Sequence, residues 1–194
     1  MFRHSRPFQS MVMVAVLASP HVSSVAAQTP TPSSSDKKVL DEFSSKTKKY
    51  IETEHSLAAD KMKPTTDVAK LEEQRQKLRD AVQQSRPNAK QGDLFTPPVA
   101  QVFRRELANV LKGSEGAKIK ASLHHAEPDA PAQFKVNAEF PNRNGQPIQS
   151  VPPTVLKVLP ALPKGLDYCI AGNTLALRDS SANIVVDFLP DALP

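Results

Sequence analysis

Residues 166–189, LDYCIAGNTLALRDSSANIVVDFL, leave this chain less conformational freedom than any other part of its sequence. Apolar and polar residues alternate there at period two, as in half-buried strands, and two turn signals divide the run. Gly172-Asn173 is a two-residue loop with glycine at the first central position, as a type II′ hairpin turn requires. Closing the hairpin there pairs residue 171 with 174. Ile170 then lies opposite Leu175 and Tyr168 opposite Leu177 on the inner face, with Asp167 opposite Arg178 on the other. Cys169 faces outward opposite Ala176. A turn over 179–183 leads to a third strand, where Ile184, Val186 and Phe188 are expected to face the core, and Val185 and Asp187 to face out.

The other end of the chain reads as an address. Arg3 and Arg6 form a basic start, residues 11–18 an apolar run, and Val25-Ala26-Ala27 a small-residue cleavage site. The run is well short of the ~20 residues that span a bilayer. Residues 1–27 are therefore expected to be a signal peptide for export to the periplasm or beyond, with no membrane span left after cleavage. Cleavage would take away Arg3 and Arg6 and no acidic residue, lowering the formal charge from +5 to +3. That balance is too small to argue for nucleic acid. The single cysteine excludes an internal disulfide, so packing alone must hold the fold.

Residues 28–36, with QTPTPSSS, read as a disordered linker, and 37–194 as a single α+β domain. In its helical part, 37–112, Val39, Leu40, Phe43, Tyr50, Ile51, Leu57 and Ala58 make one stripe of a helix over 37–61, capped by Ser35 or Asp36. Lysines and glutamates, Glu54 among them, take the other sides. Val68, Leu71, Leu78 and Val82 form a narrower seam on a helix over 67–85, suited to a hairpin with the first. Thr96 before Pro97-Pro98 opens a third helix that runs to about residue 112 and stops at Gly113.

Alternation then predicts a β-hairpin over 117–140, with Ile119, Ala121 and Leu123 paired against Ala138, Val136 and Phe134, and Lys118 facing Glu139. Residues 141–165 hold six prolines and one short helical piece near 154–159. With the C-terminal meander over 166–189, the expected architecture is a helical hairpin and a third helix packed on an antiparallel sheet of about five strands.

Few residues offer chemistry. His124 and His125 sit next to each other at an expected strand end, where they point to opposite faces and make a poor metal pair. HExxH, CxxC, EF-hand, GxSxG and SxxK patterns are absent. GSEG at 113–116 is expected to follow a helix and precede a strand, the wrong context for phosphate. An outward Cys169 could link two chains in an oxidising compartment; the plainer reading is a partly covered small residue. Asp179 and Asp187 remain as acid and base candidates, although turn and edge-strand roles suit them better. No catalytic, cofactor or metal site follows.

The segments GDLFTPPVAQVFRREL and VPPTVLKVLPALPKGLDYCIAGNTLALRDSSANIVVDFL, together spanning roughly 90–193, resemble a group of uncharacterised exported proteins of environmental bacteria. Members commonly carry Arg at the position of Cys169, so the resemblance implies that no thiol is required there. It implies export and the fold, and no activity. The leading expectation is a non-enzymatic binding or structural role with a protein or other envelope component as partner. One alternative is a small periplasmic hydrolase or lyase that brings Asp179 or Asp187 to His124 or His125 in one pocket. A helix-mediated oligomer or adaptor using the seam from Val68 to Val82 is the third.

Overall fold

The computed structural model describes residues 33–125, 133–141 and 151–194. The expected signal peptide, 1–27, lies outside them, as does most of the expected 28–36 linker. The C-terminal run is a three-stranded antiparallel meander in the order β1 (Leu166–Ala171), β2 (Thr174–Asp179), β3 (Ile184–Leu189). Its first hairpin has the expected register, with Ala171 opposite Thr174, Tyr168 opposite Leu177 and Asp167 opposite Arg178. Gly172 takes a φ of 55°, the positive value its turn position needs.

The second hairpin departs from expectation by one residue. Leu177 pairs with Asp187 while the next residue, Arg178, pairs with Val185, so Val186 is the extra residue of a β-bulge. A slip of one residue exchanges the faces of everything beyond it. Ile184 and Val186 still enter the main core. Phe188, expected in the core, instead joins Val185 and Ala176 on the opposite face. Asp187, expected outward, shares the inner side with Leu177 and is fully buried.

Five helices precede the sheet among the described residues, the first three of them at expected positions. In α1 (Ser34–Ala58), Ser33 and Asp36 form a reciprocal capping box, so Ser33 takes the cap expected of Ser35 or Asp36. Asp67 caps α2 (Val68–Ser85) by accepting from the amides of Ala69 and Lys70. In α3 (Pro97–Val110) the prolines fill the first turn, where no amide donor is lost.

The next element corrects the sequence reading outright. Residues expected as a strand at 118–123 belong to α4 (Gly113–His125). Gly116 and Leu123 are buried and Ile119 is partly so. Their spacing of three and four fits a helix as well as the alternation fits a strand, and the intervening Ala and Lys favour the helix. GSEG therefore forms the first turn of α4. Gly113 has φ 74°, and a Cβ on Gly116 would collide with the Leu111 backbone. Both glycines serve the corner between α3 and α4.

Without its partner, the expected strand at 134–140 does not form either. Asn137 has φ 62°, which breaks the extended chain, and a single bridge joins Glu139 to Ile184. The sheet thus has three strands among the described residues, against about five expected. Lys118 pairs with Glu115 at 2.7 Å, and Glu139 with Arg79 at 3.0 Å. The Pro-rich connector contributes α5 (Pro153–Leu156), and Tyr168 donates its hydroxyl to the Pro160 carbonyl at 3.1 Å.

The main core joins the helices to the inner face of the sheet. Phe43, Phe95 and Phe103 meet pairwise with ring centroids 5.1–5.7 Å apart, and Phe103 reaches Tyr168 on β1 at 6.2 Å. Each such contact adds about 1 kcal/mol to the burial of the rings themselves. A smaller cluster on the outer face holds Phe140, Cys169, Ala176 and Val185, with Phe134 and Phe188 packed against it. Cys169 is therefore buried, which corrects the outward thiol. Asp167 and Arg178 share a register position, but Arg178 donates to Asn183 Oδ1 at 2.7 and 3.1 Å and lies over the Phe140 ring. Among the described residues, no helix is long and apolar enough to cross a membrane.

Buried Asp187 ties the sheet to the connector between α2 and α3. Its carboxylate accepts from the amides of Gly92 (2.9 Å), Leu94 (2.8 Å) and Phe95 (2.8 Å), and from that of Phe188 (2.8 Å). Removing the acceptor strands several buried donors at once. We expect Asp187→Ala to lower the unfolding free energy by about 3 kcal/mol or more, read as a fall in the denaturant midpoint at unchanged slope.

Candidate functional site

The inner face of α1 carries more polar groups than a core stripe should. Phe43, Thr47, Tyr50, Ile51 and Glu54 are its buried residues, spaced by four, three, one and three. Glu54 thus continues the stripe, one turn beyond Tyr50, although its charge argued for the outer side. That spacing was the available signal for it. On α2, the buried set is Leu78, Arg79 and Val82, and Arg79 likewise sits at a core position.

These polar groups converge on the turn between β2 and β3. Asp179 is fully buried. Its Oδ2 accepts the Tyr50 hydroxyl at 2.7 Å, and its Oδ1 accepts the amides of Ser181 and Ala182 at 2.8 and 2.9 Å. Arg79 donates from Nε to the Ala182 carbonyl at 3.1 Å and from Nη1 to Gln76 Oε1 at 2.7 Å. Helices α1 and α2 thereby grip the same turn.

Glu54 is the exception. It is 1% exposed, and no hydrogen bond reaches either carboxylate oxygen. The exposed imidazole of His55 stands 3.7 Å from its Oε2. Burial first, and the charge of Asp179 second, push the Glu54 carboxyl above its ordinary value; His55 pulls the other way. Burial, followed by Asp179, likewise pushes the Tyr50 hydroxyl up. Burial also raises Asp179 and Asp187 against the downward pull of their hydrogen bonds.

Beside this cluster a cleft of about 310 Å³ opens between α1 and α2. Its α1 wall carries Lys46, Lys49, Tyr50, Thr53, Glu54 and Leu57, one helical face at spacings of three and four. Val82 and Ser85 of α2, with its C-cap residue Arg86, form the opposite wall, and Asp93 and Leu94 of the connector close one end. Arg86 lies over the Tyr50 ring, 5.0 Å from its centroid, and donates to Asn137 Oδ1 and the Val186 carbonyl at 3.3 Å each.

The residues singled out by sequence do not assemble into a site. His124 and His125 fall at the C-terminal end of α4, not at a strand end. Asp179 and Asp187 are absorbed by structural hydrogen bonds, and neither they nor His55 line the cleft. Among the described residues, no three His, Cys, Asp or Glu side chains are placed to hold a metal ion. The seam on α2 is divided: Leu78 and Val82 are buried, while Val68 is 80% exposed. Sequence reading passed over Glu54, Arg79 and the cleft. No protein-family model, curated protein or solved structure matches the chain.

Two predictions follow from burial. A folded-state pKa above the ordinary 4.5 of Glu54 means that ionising this carboxyl opposes folding, so stability is lost as pH rises through the folded value. Glu54→Met should therefore stabilise the protein at pH 7, by about 1 kcal/mol, with the gain shrinking towards pH 4 in paired thermal melts. Burial pushes the Cys169 thiol up to about 11. It should resist a thiol reagent in the native protein and react with one equivalent once denaturant unfolds the chain.

Proposed function

We propose that this chain is an exported protein of the cell envelope that works by binding, not by catalysis, and that its binding surface is the cleft between α1 and α2. In this reading, α1 and α2 form a helical hairpin that lies with α3 on the sheet and offers a groove on its open side. One observation carries the proposal. The buried aspartates that could have served as acid and base each accept at least three hydrogen bonds that hold the fold together. The cleft, by contrast, keeps polar capacity in reserve. Lys49, at its rim, makes no hydrogen bond or ion pair through its ammonium group with any described residue.

The basic N-terminus and small-residue cleavage motif support the exported half of the reading. Amino-terminal sequencing of protein recovered from the periplasm should begin at Gln28; retention of Met1 in the cytoplasm would remove that half.

The binding half is tested on the full chain by amide chemical shifts recorded against a library of small molecules. Shifts should gather at Lys49, Thr53, Ser85 and Arg86, with no turnover of ester, phosphate or glycoside substrates. Turnover that disappears in Glu54→Gln or Asp179→Asn would overturn the reading in favour of an enzyme.

A further inference from the structure

We infer that the cleft between α1 and α2 takes a small amphiphilic anion, a carboxylate on a compact apolar body. The inference rests on the binding reading above and adds the ligand's chemistry. Size comes first. About 310 Å³ is some ten times the ~30 Å³ that a water molecule occupies in the liquid. It lies at the low end of small-molecule pockets, which suits a compact ligand.

Charge selects the sign. Lys46 and Lys49 on one wall face Arg86 on the other. Two acidic residues, Glu54 and Asp93, share the lining, so the cations outnumber them three to two. Asp93 accepts the Lys90 amide at 2.9 Å, and both oxygens of Glu54 are buried, so neither oxygen offers a surface to a ligand.

The three cations are unequally committed. Lys46 pairs with Glu42 at 3.0 Å and reaches the Asp93 carbonyl at 3.4 Å. Lys49 has no such partner among the described residues. Arg86 uses two of its five N–H donors on long bonds of 3.3 Å. Its Cζ lies over the Tyr50 ring, 5.0 Å from the centroid, and this contact together with the two bonds restrains the guanidinium before any ligand arrives. A guanidinium fixed in this way matches a planar carboxylate better than it matches a neutral hydroxyl.

The rest of the lining selects the body. Leu57 and Val82 stand on facing walls and Leu94 closes one end. A bare ion would leave that apolar surface wet, whereas a short alkyl or aryl group would cover it.

Hexanoate is a suitable probe, titrated calorimetrically into the full chain beside hexylamine, hexan-1-ol and inorganic phosphate. Hexanoate should bind saturably at one site and hexylamine should not. Lys49→Gln should weaken hexanoate by about tenfold. Thr53→Trp, which fills the cleft from an exposed position, should abolish binding. Lys48→Gln, which removes a neighbouring charge outside the cleft, should change nothing. Unaltered melting temperatures would show that all three variants fold.

The failures separate. Hexylamine or hexanol binding as well as hexanoate, and blocked by Thr53→Trp, would overturn the anionic class and leave the cleft as the binding surface. Inorganic phosphate binding alone, indifferent to Thr53→Trp, would reduce the site to rim lysines and overturn the apolar half. Silence from every probe, with no shifts at the cleft from any other small molecule, would overturn this inference and the binding reading together.

Discussion

The carboxylate of Asp187 is the contact on which the arrangement of helices and sheet depends. It gathers three amides from the connector between α2 and α3 and holds them against β3. Those amides lie where the chain turns, with Gly92 at φ 88°, and have no ladder or helix to satisfy them. A buried acceptor is the cheapest remedy, because each buried donor left unpaired costs about 1–3 kcal/mol. Once the connector is seated, Leu94 and Phe95 enter the core, and Phe95 completes the aromatic group with Phe43 and Phe103.

Asp179 repeats this logic at the other end of β2. It closes its own turn through Ser181 and Ala182 and takes the Tyr50 hydroxyl from α1, while Arg79 of α2 holds the Ala182 carbonyl. In both places an acid that looks reactive in the sequence is a fastener in the structure. Such groups are demanding partners: the low dielectric that strengthens their bonds makes any unpaired group costly. Glu54 escapes this economy: burial and the charge of Asp179 disfavour its ionised form, and the exposed His55 pulls the other way.

Much of the local structure was legible. The first hairpin could be placed to the residue, since Gly172-Asn173 fixes the turn and period-two alternation fixes the faces. Helices α1, α2 and α3 followed from three-and-four spacings and their caps. The sequence misled where two periods coincide. Ile119 and Leu123 satisfy both a strand and a helix, and the helix-favouring Ala and Lys between them and the seating of Gly116 on the Leu111 backbone decide for the helix. Losing that strand also removed the ladder partner of 134–140, which is why one wrong element cost the sheet two strands.

What the sequence determined by itself, then, is everything that depends on neighbours along the chain: turn chemistry, helix caps, the alternation of a hairpin and the basic, small-residue form of the N-terminus. The tertiary structure decided which polar residues go inside. The bulge at Val186 turned Asp187 inward, the β2–β3 turn drew Tyr50 and Arg79 to itself, and the approach of α1 to α2 left a cleft edged by Lys49 and Arg86. The reason is physical. A charged side chain is buried when distant backbone groups arrive to receive it, and the identity of those groups is written in no local pattern.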